Sequence, residues 1–335
     1  MIDKDFSFEP VAEINLNALK RNLTFVKDNL CGEKLFCVVK ADGYGHGIEI
    51  AKYMDKYADG FAVSKVDEGI KLRFLGISKP ILLLTVQGYK EIKLAINYNL
   101  ILPCESVEYL TFLLENFNSE IYLNLKVDTG MNRLGFCDLD KFESALKIIA
   151  KSKNIRLCGV YSHFFNASSL KTTRSQYVLF DRFLKLYDKY FDGDRHISAS
   201  GGFLQKKYNL DAVRIGLLLY GYVPSGFRAE VFPVMKIFTN EVKRKSFLAG
   251  DKCLYNFDIE SGEYSLINYG YADGLGRNSS PKRCMDICYE KSNGGKVVIM
   301  QDANILANKY DTIPYEILVG SARRIKKVYI GDIWE

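Results

Sequence analysis

The feature that most constrains this chain is an alternation repeated eight times. From about residue 35 to residue 220, short apolar runs rich in β-branched residues take turns with longer segments whose apolar positions recur every three or four residues. These are the periods of buried strands and amphipathic helices. The strand candidates are Leu35 to Val39, Gly60 to Ser64, Ile81 to Thr85, Leu100 to Cys104, Ile121 to Val127, Cys158 to His163, His196 to Ser200 and Ala212 to Gly216. Helical patterns between them include Ile48 to Tyr57, Val66 to Phe74, Tyr89 to Tyr98, Glu105 to Phe117, Leu139 to Lys153 and Thr173 to Tyr190. Eight such units argue for an α/β chain built on a (β/α)8 barrel. A doubly wound open sheet is the competing arrangement, and it would be expected to carry a glycine-rich fingerprint after its first strand.

After Gly221 the texture changes to alternating apolar and polar residues broken by Gly-Asp and Gly-Gly turns, as in "VFPVMKIFTNEVKRKSFLAGDKCLYN". The expectation is a barrel domain over 1–225 and an all-β domain over 226–335, closely joined because no proline-rich or low-complexity linker separates them. Pattern alone leaves open which of the two the early run Val11 to Ile14 pairs with.

Charge and composition remove several function classes. A formal charge of +6, set against 46 basic and 40 acidic residues, comes with no basic run long enough to form a nucleic-acid stripe. No apolar stretch approaches the roughly 20 residues of a membrane helix, and the first residues lack a signal-peptide core. A soluble cytoplasmic protein is expected, with neither nucleic acid nor membrane as a partner. The eight cysteines form no C-x-x-C pair and fall mostly in apolar runs, so they read as buried reduced thiols. His46, His163 and His196 have no metal-ligand spacing, and His46 and His196 read as structural.

In a barrel of this kind the reacting groups lie at the carboxyl ends of the strands. Those ends supply Lys40, Asp128, Arg133, His163, Ser200 and Arg214 to Gly216. Lys40 ends a buried run in "VVKADGYGHG" and precedes small residues. A lysine in such a partly desolvated place has a lowered pKa, and its neutral amine is then a nucleophile toward a carbonyl. That is the requirement for a Schiff base with pyridoxal 5'-phosphate. Tyr44, Ser200 and the Gly216 region supply hydroxyl and backbone donors for the phosphate, His163 can lie against the pyridine ring, and Arg214 can face the ring nitrogen. An arginine there leaves that nitrogen unprotonated and the ring a weaker electron sink.

Four stretches, in order, resemble the alanine racemase family: Lys40 to Gly47 (KADGYGHG), Lys126 to Gly135 (KVDTGMNRLG), Val213 to Gly216 continuing through Leu219-Tyr220-Gly221, and Gly270 to Gly274 (GYADG). The resemblance spans nearly the whole chain. It implies a homodimer with shared active sites, pyridoxal phosphate on Lys40, and a small amino acid as substrate. Interconversion of L- and D-alanine, with D-alanine destined for peptidoglycan, is the implied activity. Racemisation of another small amino acid such as serine, or cofactor binding without turnover, are the alternatives. Two bases are implied, Lys40 on the face of the D isomer and Tyr271, from the other subunit, on the L face. Arg133 is implied at the cofactor's phenolic oxygen and the substrate carboxylate, Lys126 as a carbamylated lysine that orients Arg133, and the backbone near Met300 as a second carboxylate contact. The chain departs from the family at Gly43, at Ser200-Gly201-Gly202, at Asn132, and at Ala322-Arg323-Arg324, where a phosphate-binding tyrosine is usual.

Overall fold

The computed structural model describes residues 7–277, 283–292 and 294–332. Strand β1 is Val11–Asn15, and the eight expected strands follow as β2 Lys34–Val38, β3 Gly60–Val63, β4 Ile81–Leu83, β5 Leu102–Cys104, β6 Ile121–Lys126, β7 Ile155–Tyr161, β8 Asp194–His196 and β9 Ala212–Ile215. Hydrogen bonding orders them as β4-β3-β2-β9 and β5-β6-β7-β8, all pairs parallel. Parallel bridges Leu82 to Ile101 and Ala199 to Arg214 join the two sets at both edges and close the ring. The barrel is therefore a complete (β/α)8 cylinder. Most of its strands are apolar on both faces because helices cover the outside and side chains fill the inside; Leu35, Cys37, Phe61, Val63, Leu123 and Leu125 are all fully buried.

Local chemistry sets the helix boundaries. Ser106, Asp138 and Ser169 each accept a backbone N–H from the first turn of the helix that follows, which satisfies donors that a helix start otherwise leaves unpaired. The Ser169 cap starts the helix Leu170–Tyr187 three residues before the apolar pattern does. The pattern at Ile48 to Tyr57 yields only Ile50–Met54, because Gly45 and Gly47, at φ 82° and 91°, are still turning the chain.

The C-terminal region holds β10 Met235–Asn240, β11 Lys243–Phe247, β12 Lys252–Cys253, β13 Phe257–Asp258, β14 Gly262–Ile267, β15 Cys288–Lys291, β16 Lys296–Met300 and β17 Lys326–Ile330. One sheet runs β16-β10-β1-β17, so the first strand of the chain lies inside the last sheet. Val11 pairs with Phe238 antiparallel and with Lys326 parallel, and this answers where Val11 to Ile14 belongs. The region is not purely β: helices Ala303–Lys309 and Pro314–Ser321 separate β16 from β17, the first capped by Asp302 and the second begun by a proline in its first turn. Among the described residues no helix is long and apolar enough to cross a membrane. All eight cysteines are free, but Cys31 and Cys137 are exposed rather than buried.

The C-terminal region seats directly on the loop after β2. Tyr329 donates its hydroxyl to the His46 carbonyl at 2.9 Å, and Lys327 pairs with Asp42 at 3.3 Å. Gly45 faces the helix Pro314–Ser321, and a Cβ there would lie 2.2 Å from the Leu318 carbonyl oxygen. With φ at 82° as well, Gly45→Ala is expected to cost at least about 2 kcal/mol of stability, read as a lower urea midpoint at unchanged slope.

Candidate active site

Lys40 opens a stretch of backbone that L-residues avoid. Ala41, Asp42 and Gly43 have φ of 54°, 56° and 58°, and Tyr44 continues at 53°. A left-handed turn costs roughly 1–2 kcal/mol for each non-glycine residue, so its surroundings must hold it. The Gly43 amide donates to the Val39 carbonyl at 2.9 Å, Gly45 to Ala41 at 3.0 Å, and Gly47 to Asp42 at 2.9 Å. The Glu68 carboxylate accepts from Ala41 N at 2.6 Å, and with its other oxygen from Ser64 N and Lys65 N at 2.9 and 3.0 Å. Asp42 Oδ1 accepts from Ile48 N at 2.9 Å, and Tyr220 donates to the Val38 carbonyl at 3.0 Å. His46 is structural, as expected: its buried ring, pushed down to about 4 by burial, donates from Nδ1 to the carbonyls of Gly43 and Tyr44, both 3.0 Å away.

Around Lys40 the rim gathers positive charge. Burial and then the charges of Arg214, Arg133, Lys40 and Lys126 push His163 down to about 3, which holds its imidazole neutral. Lys40 itself is lowered by burial and by Arg133, with Glu68 opposing. Lys126 falls to about 8 through burial, Arg133 and Arg214. Asp128, on the same rim, is occupied: it accepts the backbone N–H groups of Gly130, Met131, Asn132 and Arg133 at 2.7 to 3.1 Å. Burial alone would raise the Asp128 carboxyl, and those four donors outweigh it. Four basic side chains gather on one rim where Glu68, Asp128 and Glu105 oppose them only in part, and such a rim suits a ligand that brings its own negative charge.

Arg214 is 4 % exposed and tied on several sides. Its guanidinium donates to the carbonyls of Ser162 at 2.7 Å and Ile197 at 3.2 Å, lies 3.4 Å from His163 Nδ1, and donates to His196 Nδ1 at 2.5 Å. His196 is stacked between Phe36 and Tyr161, at ring separations of 5.9 and 5.2 Å. A neutral ring accepting at Nδ1 carries its proton on Nε2, so the Asn124 amide, whose nitrogen is placed 3.2 Å from Nε2, has to be turned end for end for its oxygen to accept that proton. His196 therefore does more than fill the core: with Asn124 behind it, it sets the position of Arg214.

The other end of the rim is aromatic. The buried Tyr44 ring packs on Tyr220 at 4.8 Å and on Tyr315 at 5.6 Å. Its hydroxyl passes over Gly216, where a Cβ would lie 2.7 Å from the Tyr44 oxygen. Ser200 is buried at the start of the short helix Ser200–Gln205, just beyond the bridge that pairs Ala199 with Arg214. Lys40, Tyr44, Lys126, Arg133, His163, Ser200, Arg214 and Gly216 thus share one end of the barrel.

Tyr271 and Met300 do not join them within one chain. Tyr271 is 37 % exposed on a turn held by Gly270 N donating to Asp273 at 2.7 Å and Tyr271 N donating to Cys284 O at 2.9 Å. Asp273 pairs with Arg324 at 3.1 Å. Met300 is buried at the end of β16, where the Ser321 hydroxyl meets its sulfur at 3.6 Å.

A family profile described as "Alanine racemase, N-terminal domain" matches residues 14–224. The chain belongs to the alanine racemase family. Curated alanine racemases from Streptococcus pyogenes and Staphylococcus epidermidis are 30 % and 29 % identical to it over 95 % of this chain, and over 98 % and 94 % of theirs. Among solved structures, alanine racemase from Clostridium difficile 630 superposes with a TM-score of 0.89 at 28 % identity, covering 96 % of both chains. The enzyme from Bacillus anthracis with bound L-Ala-P gives 0.90 at 25 % identity, over 98 % of this chain and 96 % of that one.

In this alanine racemase fold, sequence reasoning missed Glu68, Asn124, His196 and Tyr315. Glu68 was detectable only as a capping residue: it ties back to Lys65 N at the start of the helix Val66–Phe74. The other three sit on separate elements and reach the site only through space, Asn124 and His196 at Arg214 and Tyr315 at Tyr44.

Lys126 yields a pH test. The folded protein releases its proton above about pH 8, whereas an unfolded chain holds it to 10.5. The unfolded state binds more protons between those values, so stability rises with pH there, and below pH 8 the buried charge is destabilising. In buffer free of carbon dioxide, Lys126→Met should be more stable than wild type at pH 7, with the gain fading by about pH 10.5, followed by urea midpoints.

Proposed function

We propose that this chain is a pyridoxal-phosphate-dependent alanine racemase that interconverts L- and D-alanine in the cytoplasm and so supplies D-alanine for peptidoglycan. The observation that carries the reading is Lys40, a lysine whose amine burial and Arg133 push toward the neutral form, held on a left-handed turn among three further cations in a chain of this family. The residues present fit the cofactor. Lys40 supplies the amine for covalent attachment, the Gly216 backbone leaves the space under the Tyr44 hydroxyl that a Cβ would fill, and Ser200 adds a buried hydroxyl for the phosphate. Arg214 would face the pyridine nitrogen and His163 the ring. When bound, pyridoxal phosphate supplies the electron withdrawal that loosens the α-proton of the amino acid.

The protein's own groups do the rest. Arg133 holds the substrate carboxylate, and Lys126, carbamylated in this reading, orients Arg133. A second carboxylate contact comes from the backbone near Met300. Lys40 Nζ takes or returns the α-proton on the face of the D isomer, and the partner subunit's Tyr271 does so on the L face. Racemisation needs a base on each face because a single fixed base returns the proton to the side it left. A phenol titrates near ~10 in water and needs positive potential to act as a base; neutral His163 with Arg214 behind it supplies that potential. The reading is of a homodimer in which the C-terminal β domain, 226–335, completes the partner's site. Tyr271 is exposed on its own chain, on a turn held by Asp273 and Cys284, which supports that arrangement.

With cofactor added, L-alanine in heavy water should lose its optical rotation and gain deuterium at the α-carbon. Lys40→Ala and Tyr271→Phe should each lose racemisation while keeping α-deuterium exchange without inversion for one enantiomer only, L-alanine in Lys40→Ala and D-alanine in Tyr271→Phe. Unchanged rotation with wild-type protein would end the racemase reading, and faster conversion of serine in a parallel assay would reassign the substrate.

A further inference from the structure

Gln176 lies on the helix Leu170–Tyr187, outside the barrel wall, yet it is only 3 % exposed, and both amide N–H groups and the amide oxygen are hydrogen-bonded. Its oxygen accepts from Phe165 N at 3.2 Å, and its nitrogen donates to the His163 carbonyl at 3.0 Å and to the Thr129 hydroxyl at 3.1 Å. The amide orientation is unambiguous, since a backbone N–H can only donate and a carbonyl can only accept. Thr129, itself 4 % exposed, also shares a 2.8 Å hydrogen bond with the Ser162 hydroxyl. The Ser162 carbonyl in turn takes the 2.7 Å hydrogen bond from Arg214.

Gln176 thus ties two loops that leave neighbouring strands. One, after β7, carries His163. The other, after β6, runs from Asp128 to Arg133 and is folded over the Asp128 carboxylate. Lys126, Thr129, Arg133, Ser162 and His163 line a single small cavity between those loops. No other side chain of similar size makes the same three bonds. Glutamate cannot donate to the His163 carbonyl, and leucine leaves a buried N–H, a carbonyl and a hydroxyl unpaired.

We propose that Gln176 is a positioning residue that clamps the His163 loop to the Arg133 loop, so that proton transfer and carboxylate binding are held in one geometry. The catalytic part of this assignment rests on the racemase reading; the clamp does not. Two measurements on the cofactor-loaded protein separate them. Hydrogen exchange in Gln176→Glu, Gln176→Leu and Thr129→Val should rise together in the 128–136 and 162–168 segments, and in the double variant Gln176→Leu/Thr129→Val it should rise no further, as expected of groups acting as one unit. Steady-state kinetics of the same variants should show KM for L-alanine up by about tenfold and kcat down by a similar factor, with Thr129→Ser, which keeps the hydroxyl, restoring both.

Exchange confined to one loop, or effects that multiply in the double variant, would overturn the clamp. A lower melting temperature with kcat and KM each within about twofold of wild type would overturn the positioning role and leave Gln176 merely structural. Wild-type protein without turnover would remove the racemase reading, and the exchange measurement would still decide the clamp. If Gln176→Leu fails to fold, Gln176→Glu and Thr129→Val give the same comparisons.

Discussion

The left-handed turn from Ala41 to Tyr44 is the constraint on which the rest of the site depends. It is costly backbone, and within "KADGYGHG" only the glycines, Asp42 and the His46 ring relieve it. Its further support comes from four residues distant in sequence: Glu68 in the first turn of the helix Val66–Phe74, Tyr220 after the last barrel strand, and Lys327 and Tyr329 on β17. Strain of this sort persists where the surroundings over-determine it. The arrangement puts Lys40 at a sharp departure from β2, and it makes the C-terminal region part of what holds the lysine in place.

The chain's two regions are correspondingly not successive blocks. β1 crosses into the last sheet between β10 and β17, and β17 returns to brace the loop after β2. A sheet that contains both the first and the last strand cannot form until the chain between them has folded back, which makes the barrel and the C-terminal region depend on one another. Electrostatics then sets the character of the rim. The neutral forms of His163 and His196 are favoured by burial and by Arg214, so the positive charge there belongs to lysine and arginine side chains and not to histidine.

Much of this was legible in the chain before folding. The eight strand positions, most of the helices between them, and the residues at the strand ends follow from period and from the geometry of closure. The two C-terminal helices were obscured because "DANILANK" and "PYEILVGS" are short and sit among β-alternating runs. His196 read as a core residue because nothing in its neighbourhood in the chain signals Arg214, 18 residues away. Glu68 and Tyr315 were hidden for the same reason, since each acts on a residue of the Lys40 turn from another element.

The sequence by itself determined the barrel and the family and marked Lys40 at the end of the first barrel strand, because strand and helix periods and the KADGYGHG, KVDTGMNRLG and GYADG stretches are local signals that survive without coordinates. Only the tertiary structure decided what holds that lysine, which histidine braces Arg214, and where β1 pairs. Those outcomes depend on side chains tens to hundreds of residues apart meeting at hydrogen-bonding distance. Sequence period carries no information about such distances, because it reports which face a residue occupies and not what lies across from it.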